Sequence, residues 1–236
     1  FERAIRLDSL NPEAFHFYAV TVYGSDCAFT CLVDEREAIP LLRRALALDP
    51  TLRNSWRHLA AVERDAGRLA EAETHLDTAL SFGPWPPASG DRAYLRYLRG
   101  NAAGAMADQE AGEGGIQNRP HLPALARVLA GDSVPAQTRL ATLRADTTSR
   151  TSRLAERASL AIALGLRDEA LSVLERLRVL PDPAGEARCT ATAACSASLR
   201  AWLALHDPIF SPLRGDPRFQ RLWDDTRPRV PWLDRR

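Results

Sequence analysis

Thr51–Pro84 reads TLRNSWRHLAAVERDAGRLAEAETHLDTALSFGP, and the spacing of its apolar residues decides the fold. Trp56, Leu59, Ala60 and Val62 recur at the three- and four-residue intervals of one helix face. That helix stops at Gly67, a residue suited to the left-handed backbone that ends a helix. From Ala72 a second face is built by Ala72, Leu76, Ala79 and Leu80 until Pro84 closes it. The stretch predicts a helix, a tight turn and a second helix.

The same pattern returns along the chain. Ala38–Pro50 (AIPLLRRALALDP) superimposes on Ala72–Pro84 at a shift of 34, setting Ala38 on Ala72, Leu42 on Leu76, Ala45 on Ala79 and Leu46 on Leu80. A glycine followed five residues later by alanine occurs at Gly67/Ala72, Gly100/Ala105, Gly131/Ala136 and Gly165/Ala170, with glycine spacings of 33, 31 and 34. An apolar residue four further on completes three of the four sets, Leu76, Leu140 and Leu174, and Gln109 is the exception. Glycine ends one helix and the small alanine lets the next pack close against it, so a repeating helix pair is predicted.

Trp56, Leu59, Ala60, Gly67, Ala72, Leu76, Ala79 and Pro84 together resemble a nearly complete tetratricopeptide repeat. Phe1, Ala4 and Leu7 resemble the end of a second helix, Phe15, Tyr18 and Ala19 the start of the next unit, and the likeness returns through Leu154, Ala158, Ala161, Gly165, Ala170, Leu174 and Leu177. The resemblance covers about three-quarters of the chain and implies an all-α, right-handed α-solenoid of stacked antiparallel helix pairs. Its organisation is expected to be well-formed repeats over 1–84 with an inserted loop near 24–35, degenerate helical repeats over 85–150, a repeat and capping helix over 151–206, and a tail over 207–236 packed on the last repeats. Gly83–Gly90 (GPWPPASG) reads as a turn-rich break where the stack bends, with Trp85 wedged against a neighbouring helix. Asp216 followed by Pro217 predicts a short helix to about Thr226, its tail clamped by Phe210, Leu213, Phe219, Leu222 and Trp223. This closing segment resembles the C-terminal end of bacterial multidomain signalling proteins, serine/threonine kinases and winged-helix regulators. Because Phe1–Asp8 reads as the end of an amphipathic helix, further chain is expected upstream.

Composition narrows the chemistry. All 31 basic residues are arginine, so no Schiff-base, phosphate-loop or ATP-anchoring lysine is present in this chain. A net charge of +1 lacks the dense basic field that non-specific nucleic-acid binding needs, and no apolar run approaches a membrane span. Cys27 and Cys31 are four apart and Cys189 and Cys195 six apart, neither being the two-residue gap of common zinc hairpins. Free buried thiols are expected in the cytoplasm, and disulfides if a transmembrane helix upstream places the repeats outside it. His58 and His75 lie on consecutive predicted helices without a nucleophile at fixed spacing, and Asp224 and Asp225 are neighbours that point about 100° apart on a helix. No catalytic residue, metal or cofactor is assigned.

A stack of helix pairs leaves a groove lined by the first helix of each pair, where extended peptides or partner helices bind. The groove candidates are Glu13, His16, Val20 and Tyr23 in one unit and Asn54, Arg57, Ala61, Arg64 and Asp65 in the next. Tetratricopeptide co-chaperones grip a terminal carboxylate with asparagine and lysine in this helix. Here lysine is absent and Ala61 stands where the asparagine would, so an acidic or mixed-charge segment bound by Arg57 and Arg64 is expected instead. The function expected is a non-catalytic protein-interaction scaffold. The alternative is a regulatory C-terminal region of a bacterial serine/threonine kinase whose catalytic domain lies upstream.

Overall fold

The computed structural model describes residues 1–23, 35–111, 121–146, 151–179, 205 and 207–226. The regular elements among them are all helices, and the chain divides into two compact units, Phe1–Asn118 and Arg119–Arg236, the division falling inside the 85–150 stretch.

The first unit contains α1 (Glu2–Leu7), α2 (Pro12–Tyr23), α3 (Glu35–Leu48), α4 (Arg53–Asp65), α5 (Leu69–Ser81), α6 (Pro86–Leu98) and α7 (Ala102–Ala111). Helices α2 and α3, α4 and α5, and α6 and α7 pack as antiparallel pairs, and each pair meets the next through α3 on α4 and α5 on α6. This is the all-α stack of helix pairs that the 34-residue repetition predicts. Two apolar clusters flank α4. Leu59 and Val62 join Ala19, Ala38, Leu42 and Leu46 on one side, while Ala60 joins Ala72, Leu76, Ala79, Ala88 and Leu95 on the other. Trp56 packs against both and donates from Nε1 to the Pro50 carbonyl at 2.8 Å, which fixes the entry into α4.

The turns share one mechanism. Gly67, Gly100, Gly131 and Gly165 have φ of +81°, +76°, +89° and +75°. In each, the amide of the following residue reaches back to the carbonyl five residues earlier, as Arg68 does to Glu63 at 2.8 Å and Leu166 to Ala161 at 2.8 Å. That bond satisfies a carbonyl the helix end would leave open. Ala72, Ala105, Ala136 and Ala170 are each 0% exposed, so the small residue of each second helix is fully buried in the packing. At Gln109, the exception to the pattern, the side-chain Nε2 is buried with no hydrogen-bond partner.

The expected break at Gly83–Gly90 is corrected: α6 starts at Pro86, so most of that stretch is helix. Proline is tolerated in a first turn, where no intrahelical N–H is required, and a proline-rich run therefore opens a helix as readily as it forms a loop. Trp85, just before it, packs against the second cluster beneath the Arg53 guanidinium, 4.8 Å from the ring centroid. Arg53 also donates to the Ala79 and Gly83 carbonyls at 3.3 and 2.8 Å, tying the start of α4 to the end of α5.

The second unit contains α8 (Leu122–Leu129), α9 (Val134–Ala145), α10 (Thr151–Ala163), α11 (Arg167–Val179), a 3-10 segment at Pro208–Leu213 and a last helix, α12 (Pro217–Thr226). Helices α8 with α9 and α10 with α11 pack against each other, and α9 rests on α10. Asp216 accepts from the Arg218 amide at 2.8 Å, α12 ends at Thr226, and Phe210, Leu213, Phe219 and Leu222 are buried where the 3-10 segment meets α10 and α12 meets α11. The inserted loop over 24–34, the four cysteines, most of the expected capping helix and the terminal arginines lie outside the described residues.

Candidate functional site

Helices α2, α4 and α6 are the first helices of their pairs, and they touch one another in sequence along the first unit. Side chains bridge each step. Between α2 and α4, His16 is hydrogen-bonded through Nδ1 to Ser55 at 2.9 Å and lies edge-on to His58, 5.3 Å between ring centroids. Between α4 and α6, Arg57 Nε donates to Asp91 at 2.6 Å, and the Arg64 guanidinium lies 5.7 Å from the Tyr94 ring centroid while its Nε donates to Asp65 at 2.7 Å.

The groove candidates therefore separate by accessibility. Glu13 and Asn54 are exposed. Arg57, Arg64 and Asp65 are half-buried in ion pairs made within the chain. His16 is 7% exposed and belongs to the seam, as does Val20 on the same helix. Ala61 is half-buried, and the Tyr23 side chain lies outside the described residues. Phe17, 50% exposed and one turn from Glu13, was not among the candidates. An aromatic in an amphipathic helix reads as core, and only the assembled pair shows that the core-facing positions are taken by Ala14, Ala19 and Val22.

Burial sets the electrostatics of the seam. His58 is pushed down to about 3 by desolvation, with the nearby His16 and Arg57 adding to it, and His16 is lowered by burial against the opposing pull of Glu13. Both imidazoles are neutral at pH 7. A neutral imidazole pair, one ring of which is bonded to the Ser55 hydroxyl, fits a seam without placing charge in it. Its burial keeps Ser55 from any substrate, since that residue is 0% exposed.

His75 turns the other way. Its Nε2 lies 3.1 Å from the Glu63 carboxylate, which is 1% exposed and also 3.5 Å from Arg43, and its ring tilts against Trp56. His58 and His75 thus serve opposite sides of α4. Sequence reasoning also missed Asp91, Asp108 and Glu63. For Asp91 a signal exists: it follows Arg57 by 34 residues, one repeat, and so occupies the matching place on the next first helix.

The remaining charges join helices. Asp108 on α7, 3% exposed, accepts both prongs of the Arg92 fork at 3.0 and 2.6 Å and a third bond from Arg96 at 2.9 Å. Arg92 and Arg96 extend to Asp77 and Glu73 on α5, where Arg99 also pairs with Glu73. In the second unit Arg139 grips Glu156 with both prongs at 2.6 and 3.0 Å, and Arg144 and Arg157 converge on Glu169, holding its carboxyl down at about 2 through these hydrogen bonds. Among the described residues no group of three or more histidine, cysteine, aspartate or glutamate side chains is placed to hold a metal ion, and no helix is long and apolar enough to cross a membrane.

No protein-family model matches the chain, and no curated protein matches it. Among solved structures it is similar to one titled "Crystal structure of APC/C hetero-tetramer Cut9-Hcn1", at 14% identity and a TM-score of 0.46, over 94% of this chain and 47% of that one. The chain spans about half the length of that solved chain.

Proposed function

We propose that this chain is a protein-interaction scaffold whose first-helix face, formed by α2, α4 and α6, binds a peptide or segment of a partner protein. The reading assigns it no reaction of its own. One observation carries it: the three first helices lie in sequence against one another and leave Glu13, Phe17 and Asn54 open to solvent, although the seams beneath are closed. Exposed apolar and amide groups beside closed seams give a partner contact area that costs the fold nothing to present.

Arg57, Arg64 and Asp65 act at this face as charges already paired within the chain. Arg57 gives its Nε–H to Asp91, so a partner carboxylate shares that guanidinium with Asp91 and gains less than it would at an unpaired arginine. Affinity then rests on Phe17 and Asn54, with the arginines selecting against partners that place positive charge over α4.

Site-specific photo-crosslinking tests the face. A benzophenone amino acid at Asn54 is expected to trap a discrete protein from an extract of the source cells, and the same group at Glu71, exposed on α5, is expected to trap none. Equal trapping at both positions, or none at Asn54, would contradict the proposal.

A further inference from the structure

Helices α11 and α12 of the second unit enclose an open cleft of about 420 Å³. Ser172, Glu175 and Arg176 line it from one face of α11, and Arg218, Arg221 and Asp225 from one face of α12, with buried Leu222 as its floor. The spacings of three and four residues put each set on a single helix face.

The three arginines differ in what they hold. Arg218 is engaged by Asp168 at 2.8 Å and Asp216 at 3.0 Å. Arg176 and Arg221 are exposed and make no ion pair or hydrogen bond among the described residues. Elsewhere the forks of Arg92, Arg139 and Arg157 close on carboxylates of a neighbouring helix. Two open forks therefore line a concavity with an apolar floor, the arrangement in which planar two-pronged donors recognise carboxylates. Glu175 and Asp225 on the same walls oppose a dense polyanion and favour single, spaced carboxylates.

We propose that this cleft binds an aspartate or glutamate side chain of an acidic protein segment, held between Arg176 and Arg221. The cleft lies within the second unit.

The test uses the full chain and an acetylated, amidated heptapeptide carrying two glutamates separated by two glycines, followed by amide chemical shifts. Saturable shifts in α11 and α12 are expected for the wild type and for Arg214→Gln, an exposed arginine that does not line the cleft. Affinity is expected to fall about tenfold or more in the Arg176→Gln, Arg221→Gln double variant, whose thermal unfolding should match the wild type because both side chains are exposed. The peptide with glutamine in place of glutamate should not bind. Retained affinity in the double variant, absence of any shift in the wild type, or displacement by inorganic phosphate at equal concentration would each overturn the proposal.

Discussion

Asp108 shows how this chain uses arginine. Its buried carboxylate is met by three N–H donors from Arg92 and Arg96, and the forked geometry that supplies two of them from one side chain is unavailable to lysine. Removing the carboxylate leaves two half-buried guanidiniums facing each other, so Asp108→Ala is expected to destabilise the chain by about 2–3 kcal/mol. Urea denaturation with an unchanged slope would show it, and a loss below a few tenths of a kcal/mol would remove Asp108 from the joint. The seam between α2 and α4 responds to pH instead. His58 has a folded-state value near 3, below its ordinary 6.5, so the unfolded chain binds the proton first. Its contribution is complete above pH 6.5 and is lost as the pH falls toward 3. Between pH 7 and pH 5 this amounts to about 2 kcal/mol. The His58→Gln variant is expected to flatten the stability profile over that interval, whereas the carboxylate Glu169 governs a lower window, from 4.5 down to about 2.

At the scale of the helix pair, glycine and alanine determine how closely two helices meet. Gly165 has φ +75° with open space where a Cβ would stand, so Gly165→Ala meets no clash and is opposed by backbone conformation alone. A loss of about 1–2 kcal/mol is expected by thermal unfolding, and no loss would mean that the turn relaxes. These turns were legible because they need one residue type at a fixed distance from another. Pro86 and Pro87 were misread, because proline signals both a turn and a first helical turn, and only the helix that follows decides between them. The ion pairs were mostly illegible. Arg92 and Asp108 are 16 residues apart and Arg57 and Asp91 are 34, and charged residues are frequent enough that no spacing singles out those partners until neighbouring helices are set side by side.

Across the molecule, the repetition that identifies the helix pairs also fixes which helix of each pair comes first, and so which helices form the proposed face. Of the candidates on that face, Glu13 and Asn54 are exposed as a partner requires, His16 is drawn into the seam by Ser55 and His58, and Arg57 is engaged by Asp91. The order of the helices was more legible in the sequence than their individual contacts, since amphipathic periodicity reports orientation but not the pairing of polar groups within it. Hydrogen exchange of the chain with a partner bound tests the central claim most directly. The account predicts slowed exchange in α2, α4 and α6, over 12–23, 53–65 and 86–98, with α3 and α5 unchanged. Protection confined to α3 and α5 would contradict it.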